Sequence, residues 1–321
     1  MAGCSPRALV DRSEWVGILT KSGEAALYGS SQAAGANEMV FNPIDTLNQA
    51  FLDRISEGFR SAYGNLGGRE HEYEYGNIIR AAANLAIETI NRSDAFYHDV
   101  EHTMMVTLVG QEIFRGKLLS EGTVSARDWA HFTIALLCHD IGYVRGICPG
   151  DDGDTAVIDM DGNTVQIPPG ATDAFLTPYH VERGKMFVRS RFGNHPQIDA
   201  ELIAATIENT RFPVPDDAEV ADVVDWAVLV QAADLIGQLA DPDYPRKLPA
   251  LYYEFEETGA NRKMGNDSPE SLRDTYPEFF WNMVQRHIEP GINYLELTRE
   301  GRDWLSGLYS HVFYQEHRGA L

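Results

Sequence analysis

Apolar residues recur at helical spacing through most of the chain. Leu47, Phe51, Ile55 and Phe59 fall four apart and predict a helix over 46–63. The glycine-containing stretch 64–68 breaks that pattern, and an alanine-rich run predicts a second helix over 77–90. From 94 to about 115, Val100, Met104 and Leu108 step by four with Met105, Val109 and Ile113 beside them. Asp128 reads as the cap of a fourth helix through Trp129, Phe132, Ala135 and Leu136, ending near Gly142. Further helices are predicted over 179–192 and 199–209. Asp216 and Glu219 read as a capping pair opening another through Trp226 and Ala233 to about 239. Residues 268–318 read as two or three helices interrupted at Pro277 and Pro290.

The helical rhythm fails between 145 and 178. There, Val157–Met160 and Thr164–Ile167 flank Asp161-Gly162, a strong turn signal, and Pro168-Pro169-Gly170 follows. This predicts a β-hairpin inserted at about 150–170, either a lid over a neighbouring site or a plain surface feature. Residues 1–40 are mixed and rich in Gly, Ser and Ala; Ile18–Thr20 and Ala26–Tyr28 read equally as short strands or loose packing segments, and no element is assigned there. The expected fold class is therefore all-α, a helical bundle with an inserted β-hairpin. Residues 1–76 would be an accessory segment packed on the core, 77–260 the central domain, and 261–321 helices of the same globule. No internal repeat or low-complexity tract is present.

With 321 residues and 44% hydrophobic content, the chain can bury a sizeable core. The charge alters the picture more: 48 acidic against 26 basic residues give −22. That field repels nucleic-acid backbone and anionic membrane, so neither a duplex nor a lipid surface is a favoured partner. It also leaves any positive charge needed for a phosphorylated substrate to a bound metal. Three cysteines, Cys4, Cys138 and Cys148, offer no disulfide framework. No apolar run approaches 18 residues, and the start lacks an apolar leader segment. The expected location is cytoplasmic.

Two strings carry chemistry: Tyr97-His98-Asp99-Val100-Glu101-His102 and Cys138-His139-Asp140-Ile141-Gly142. His98 and His102 share a face if the helix has begun by His98. The His139-Asp140 pair follows the apolar run 132–138, where an unpaired charge costs several kcal/mol, about 3–5 when a partner is removed. Asp234 poses the same problem among Val230, Ala233 and Gly237. Imidazole nitrogen and carboxylate oxygen together suit a divalent ion.

The order His…His-Asp…Asp resembles the HD superfamily of metal-dependent phosphohydrolases. From about Tyr97 to Asp234 it is closest to class I 3′,5′-cyclic nucleotide phosphodiesterases. The resemblance implies an HD-domain fold in which His102, His139, Asp140 and Asp234 hold the first metal, Asp140 bridges to a second, and His98 is the general acid. Asp140 and His98 would then be the catalytic pair. Two positions depart from that pattern. Asp99 replaces an Asn, and Tyr143 stands at a third polar position normally histidine, with Gly146 one place late. His180 sits where other HD proteins carry a second-metal histidine. Glu208 is a further candidate ligand, and Arg183 and Lys185 are candidate phosphate contacts. The expected function is hydrolysis of a small phosphorylated substrate, a cyclic nucleotide favoured, with one or two divalent ions (Mn, Mg, Zn or Fe) and a homodimer allowed. The rivals are a nucleotide phosphomonoesterase, a diiron oxygenase of the same superfamily, or a non-catalytic ligand-sensing scaffold. Aromatic residues toward the C-terminus, Trp281 and Tyr309 among them, read as core or oligomer contacts.

Overall fold

The first of the long helices, α1 (Pro43–Tyr63), turns Phe51, Leu52, Ile55, Phe59 and Tyr63 inward, the stripe its spacing predicts. The structure is a computed structural model that describes residues 42–64, 70–211 and 225–318. Ile18–Thr20, Ala26–Tyr28 and the capping pair Asp216/Glu219 lie outside the described residues. Helix α2 (Glu70–Ile90) runs across the expected boundary at 76/77, and α1 packs on both α2 and α3 (Val100–Glu121). The described residues from 43 onward form one compact unit.

Helix α3 begins later than its apolar pattern suggests. Asp99 is its N-cap, the carboxylate accepting the His102 N–H at 3.0 Å. His98 therefore stands outside the helix and does not share a helical face with His102. The Asp at 99 is a conservative departure, because Asp and Asn cap equally well. Helix α4 (Ala126–Cys138) is capped by Ser125. Asp128, expected as the cap, is its third residue and completes a capping box. Along α4, His131 is buried; its Nδ1–H donates to the Arg127 carbonyl at 2.7 Å and its Nε2 accepts the Asp199 N–H at 2.8 Å. Asp199 caps α6 (Ala200–Ile207), so His131 ties the two helices together. Burial pushes its pKa below the usual histidine value.

Helix α7 (Val228–Leu239) packs most extensively on α3. Gly237 permits this: a Cβ there would stand 2.7 Å from the Val106 Cα. The two backbones touch, one turn beyond His102 on α3 and less than a turn beyond Asp234 on α7.

The inserted hairpin is present. Strand β1 (Thr155–Val157) pairs antiparallel with β2 (Thr164–Gln166). Its turn is wider than a two-residue Asp-Gly turn, since the Asp159 carboxylate gathers the N–H groups of Asp161 and Asn163, both at 3.0 Å. Ala156, Ile167 and Leu176 form a small core beneath it. Helix α5 (His180–Phe192) follows, then α6 and a 3-10 turn at Glu208–Thr210.

Helix α8 (Tyr244–Thr258) occupies a stretch for which the pattern predicted no element. Three short helices, α9 (Ala260–Met264), α10 (Pro269–Asp274) and α11 (Tyr276–Phe279), lead through a π turn at Phe280–Val284 into α12 (Gln285–Leu295) and α13 (Arg299–His317). Pro277 sits in the first turn of α11, where its missing N–H costs nothing. Pro290 lies inside α12 and does not interrupt it. Ile288, Gly291 and Leu295 bury against α7 and α3, and that packing outweighs one lost backbone bond. None of the described helices is long and apolar enough to cross a membrane.

Candidate metal centre

Helix α4 ends at Cys138, and the next two residues both face the same point. His139 keeps helical geometry, while Asp140 turns to φ −100°, ψ 1°, the sparsely populated bridge between helix and strand. Consecutive side chains that a helix would splay about 100° apart are thereby brought together. His102 arrives from the first turn of α3 and Asp234 from α7.

The four side chains meet at ligand spacing. His102 Nε2 lies 3.2 Å from Asp140 Oδ2 and 3.4 Å from Asp234 Oδ1. His139 Nε2 lies 3.1 and 3.5 Å from the same two oxygens, and 3.4 Å from His102 Nε2. Atoms about 2.1 Å from a common ion stand about 3.0–3.4 Å apart in octahedral or tetrahedral geometry. His102, His139 and Asp140 are thus a buried group that can hold a metal ion, and Asp234 closes on both imidazoles.

The donor atoms fit such an ion. The His139 Nδ1–H is spent on the Leu136 carbonyl at 2.7 Å, which leaves Nε2 as the lone-pair nitrogen facing the cluster. Asp140 Oδ2 is buried and has no hydrogen-bond partner among the described residues. Burial opposes charge on all four groups. Even so, Asp140 and Asp234 hold His139 and His102 above the usual histidine range. In return the imidazoles hold Asp140 well below the carboxylate range and bring Asp234 to about 2.

His98 and His180 flank the quartet. Burial opposes a proton on His98, but Glu254 outweighs it and raises the imidazole to about 9. The His98 Nδ1–H donates to Glu254 Oε2 at 2.5 Å, and Glu254 Oε1 accepts the backbone N–H groups of Tyr97 and His98 at 2.6 and 3.2 Å. Glu254 is wholly buried on α8. No expectation pointed to it; the available signal was its position three residues after Leu251 on the inward stripe of α8. His180 donates Nδ1–H to the Thr177 carbonyl at 2.6 Å, leaving Nε2 3.7 Å from Asp140 Oδ1. Asp140 thus turns one oxygen to His102 and His139 and the other to His180. Tyr143 fills the space between His98 and His180 and stacks on both, at 4.5 Å each. Asp234, His98 and His180 keep 19, 15 and 14% of their side chains exposed, so the cluster opens to solvent on the side these three form.

Three expected contacts belong elsewhere. Arg183 is fully buried, and all its guanidinium nitrogens are engaged: with Gly142 O at 2.7 Å, Val144 O at 2.8 Å, Val157 O at 2.5 Å, and both Asp151 oxygens at 3.0 Å. It is a strut between α5 and the root of the hairpin and has no donor left for phosphate. Glu208 pairs with Lys185 at 2.8 Å and Arg211 at 2.5 Å, so neither Glu208 nor Lys185 faces the cluster as a free group. The strut also ties down the base of the hairpin at Asp151 and Val157.

Fold and site together define an all-α protein with a buried His/Asp group able to hold a metal ion. A family profile described as Npun_R2479-like matches residues 41–318. The chain belongs to the Npun_R2479-like family. No curated protein matches it.

Proposed function

We propose that this chain is a metal-dependent phosphohydrolase of the HD type, and that it hydrolyses a phosphodiester, with a 3′,5′-cyclic nucleotide favoured. One arrangement carries the reading: two imidazole nitrogens and two carboxylates at ligand spacing, beside a histidine held by a buried glutamate. His102, His139, Asp140 and Asp234 would hold the ion, and Asp140 Oδ1 with His180 is the place for a second. When bound, a divalent ion supplies Lewis-acid charge for phosphoryl oxygens.

The chain's own residues handle the proton. Glu254 accepts from His98 Nδ1, so the deliverable proton is the one on Nε2. A leaving alkoxide needs a proton, and an imidazolium anchored through its other nitrogen presents one in a fixed direction. Tyr143, stacked on the His98 ring, restrains its rotation.

Charge favours a diester over a polyphosphate. The basic residues on segments around the site are matched already: Arg145 with Asp94 and Asp173, Arg183 with Asp151, Lys185 and Arg211 with Glu182 and Glu208, and Lys247 with Glu101 and Asp241. A diester brings one negative charge and needs little beyond the metal. A triphosphate brings several and finds these cations taken.

The test is a panel of cyclic and linear nucleotides with added Mn²⁺, run on the wild type and on Asp140→Ala. Cyclic-nucleotide hydrolysis should appear in the wild type. The variant should lose both hydrolysis and bound metal by elemental analysis, since one carboxylate faces both ligand groups. Full metal occupancy in Asp140→Ala would refute the ligand set. Paired iron without hydrolysis would favour an oxygenase, and no metal at all a scaffold.

A further inference from the structure

Helix α13 buries Gly301, Leu305, Leu308 and Val312 and leaves a second stripe facing outward. Arg302, Ser306, Tyr309, Phe313 and Glu316 recur at steps of four and three, the spacing of a helix–helix seam. All five are exposed; Phe313 shows 58% of its surface and Tyr309 38%. Trp281, also exposed, broadens the stripe, its indole N–H donating to Glu316 at 2.6 Å. A groove of about 780 Å³ runs beside it, lined by Leu305, Ser306, Tyr309 and Phe313.

We propose that a second copy of this chain covers the stripe, with α13 packed antiparallel on its twin about a two-fold axis at Tyr309. The stripe is complementary to itself. Turned end for end about Tyr309, Arg302 comes level with Glu316 of the partner subunit, and Ser306 comes within one residue's rise of Phe313 of the partner subunit. Opposite charges meet at both ends, and a small side chain faces a large one on either side of the axis, as an isologous contact requires.

Sedimentation velocity on the full chain, from about 1 to 200 μM, reads the association directly. The wild type should dimerise in that range. Phe313→Glu, at an exposed position, should leave the fold intact and raise the dissociation constant about 30-fold or more. Arg302→Glu and Glu316→Arg should each weaken the dimer, and the two combined should restore it. Roles within one chain cannot produce that rescue: Arg302 donates to the Glu296 carbonyl at 2.8 Å and Glu316 accepts from Trp281, and the exchange replaces neither contact. A monomer at every concentration overturns the proposal. So does a dimer indifferent to Phe313→Glu, as would a dimer that the charge exchange fails to rescue.

Discussion

Glu254 and His98 lie 156 residues apart in sequence and share a short hydrogen bond beside the cluster. Glu254→Gln keeps the side chain's shape and an oxygen for the backbone N–H groups of Tyr97 and His98, but removes the charge that anchors the imidazolium. On the proposed reading, kcat for a cyclic nucleotide should fall by about 10- to 100-fold with metal content unchanged. A nitrophenyl ester, whose leaving group needs no proton, should be nearly unaffected; equal losses on both substrates would remove Glu254 from positioning His98. His131 supplies a test of stability. Buried and lodged between a carbonyl acceptor and an N–H donor, it is held neutral and its pKa is lowered. The unfolded chain therefore binds this proton more readily than the folded one. Its contribution is complete above the unfolded value near 6.5 and is lost as pH falls from there through the lower folded value. The urea midpoint of the wild type should thus exceed that of His131→Gln at pH 8, and the gap should narrow by pH 5. Arg127, Asp128 and Asp199 also face this imidazole, and the substitution leaves them in place. The His139-Asp140 pair and Asp234 stood out in sequence because each interrupts an apolar run with a group that demands a partner; His102 joined them through the family resemblance. Glu254 was not, since a glutamate on an unrecognised helix looks like a solvated one until its distant partner is in place. Arg183 was misread for the same reason.

Between α3 and α7, contact without side-chain bulk decides the spacing. Gly237→Ala would put a methyl carbon 2.7 Å from the Val106 Cα, which only a shift of one helix can relieve. Stability should drop by about 1–3 kcal/mol. Because Asp234 rides on α7 and His102 on α3, metal affinity should weaken as well. Thermal melts with and without added Mn²⁺ measure both effects, and a variant with unchanged affinity would show that the helices position the quartet independently of this contact. Element boundaries were the poorest guide in the sequence. Apolar spacing placed the bodies of α1, α3 and α5 well, but Asp99 and Ser125 set the starts through hydrogen bonds that spacing does not encode. Pro290 was expected to interrupt a helix. Its neighbours Ile288 and Gly291 bury against α7 and α3, a tertiary contact that local preference does not foresee.

The whole molecule carries a large negative charge on a mostly helical body, and its basic residues near the centre are already in pairs. Self-repulsion across 48 carboxylates is screened by salt over about 10 Å at 0.1 M. Raising NaCl from about 0.02 to 0.3 M should therefore raise the Tm, more than it lowers it through surface pairs such as Arg189–Glu201, 2.8 Å apart. A Tm that falls over that range would mean the ion pairs dominate. The helical class was legible from periodicity over most of the described residues, though not over α8. The route by which α8 closes the site was not, because it depends on how residues more than a hundred positions apart come together.

Arg183 ties three parts of the chain at one point: the Gly142–Val144 turn after the ligand pair, Asp151 and Val157 at the hairpin root, and its own helix, α5. A buried guanidinium that loses one acceptor is left with an unpaired donor, a cost of about 1–3 kcal/mol or more. A change at the hairpin root should therefore be felt at α5, whose first residue, His180, stands beside Asp140, so the insertion and the edge of the cluster are mechanically one piece.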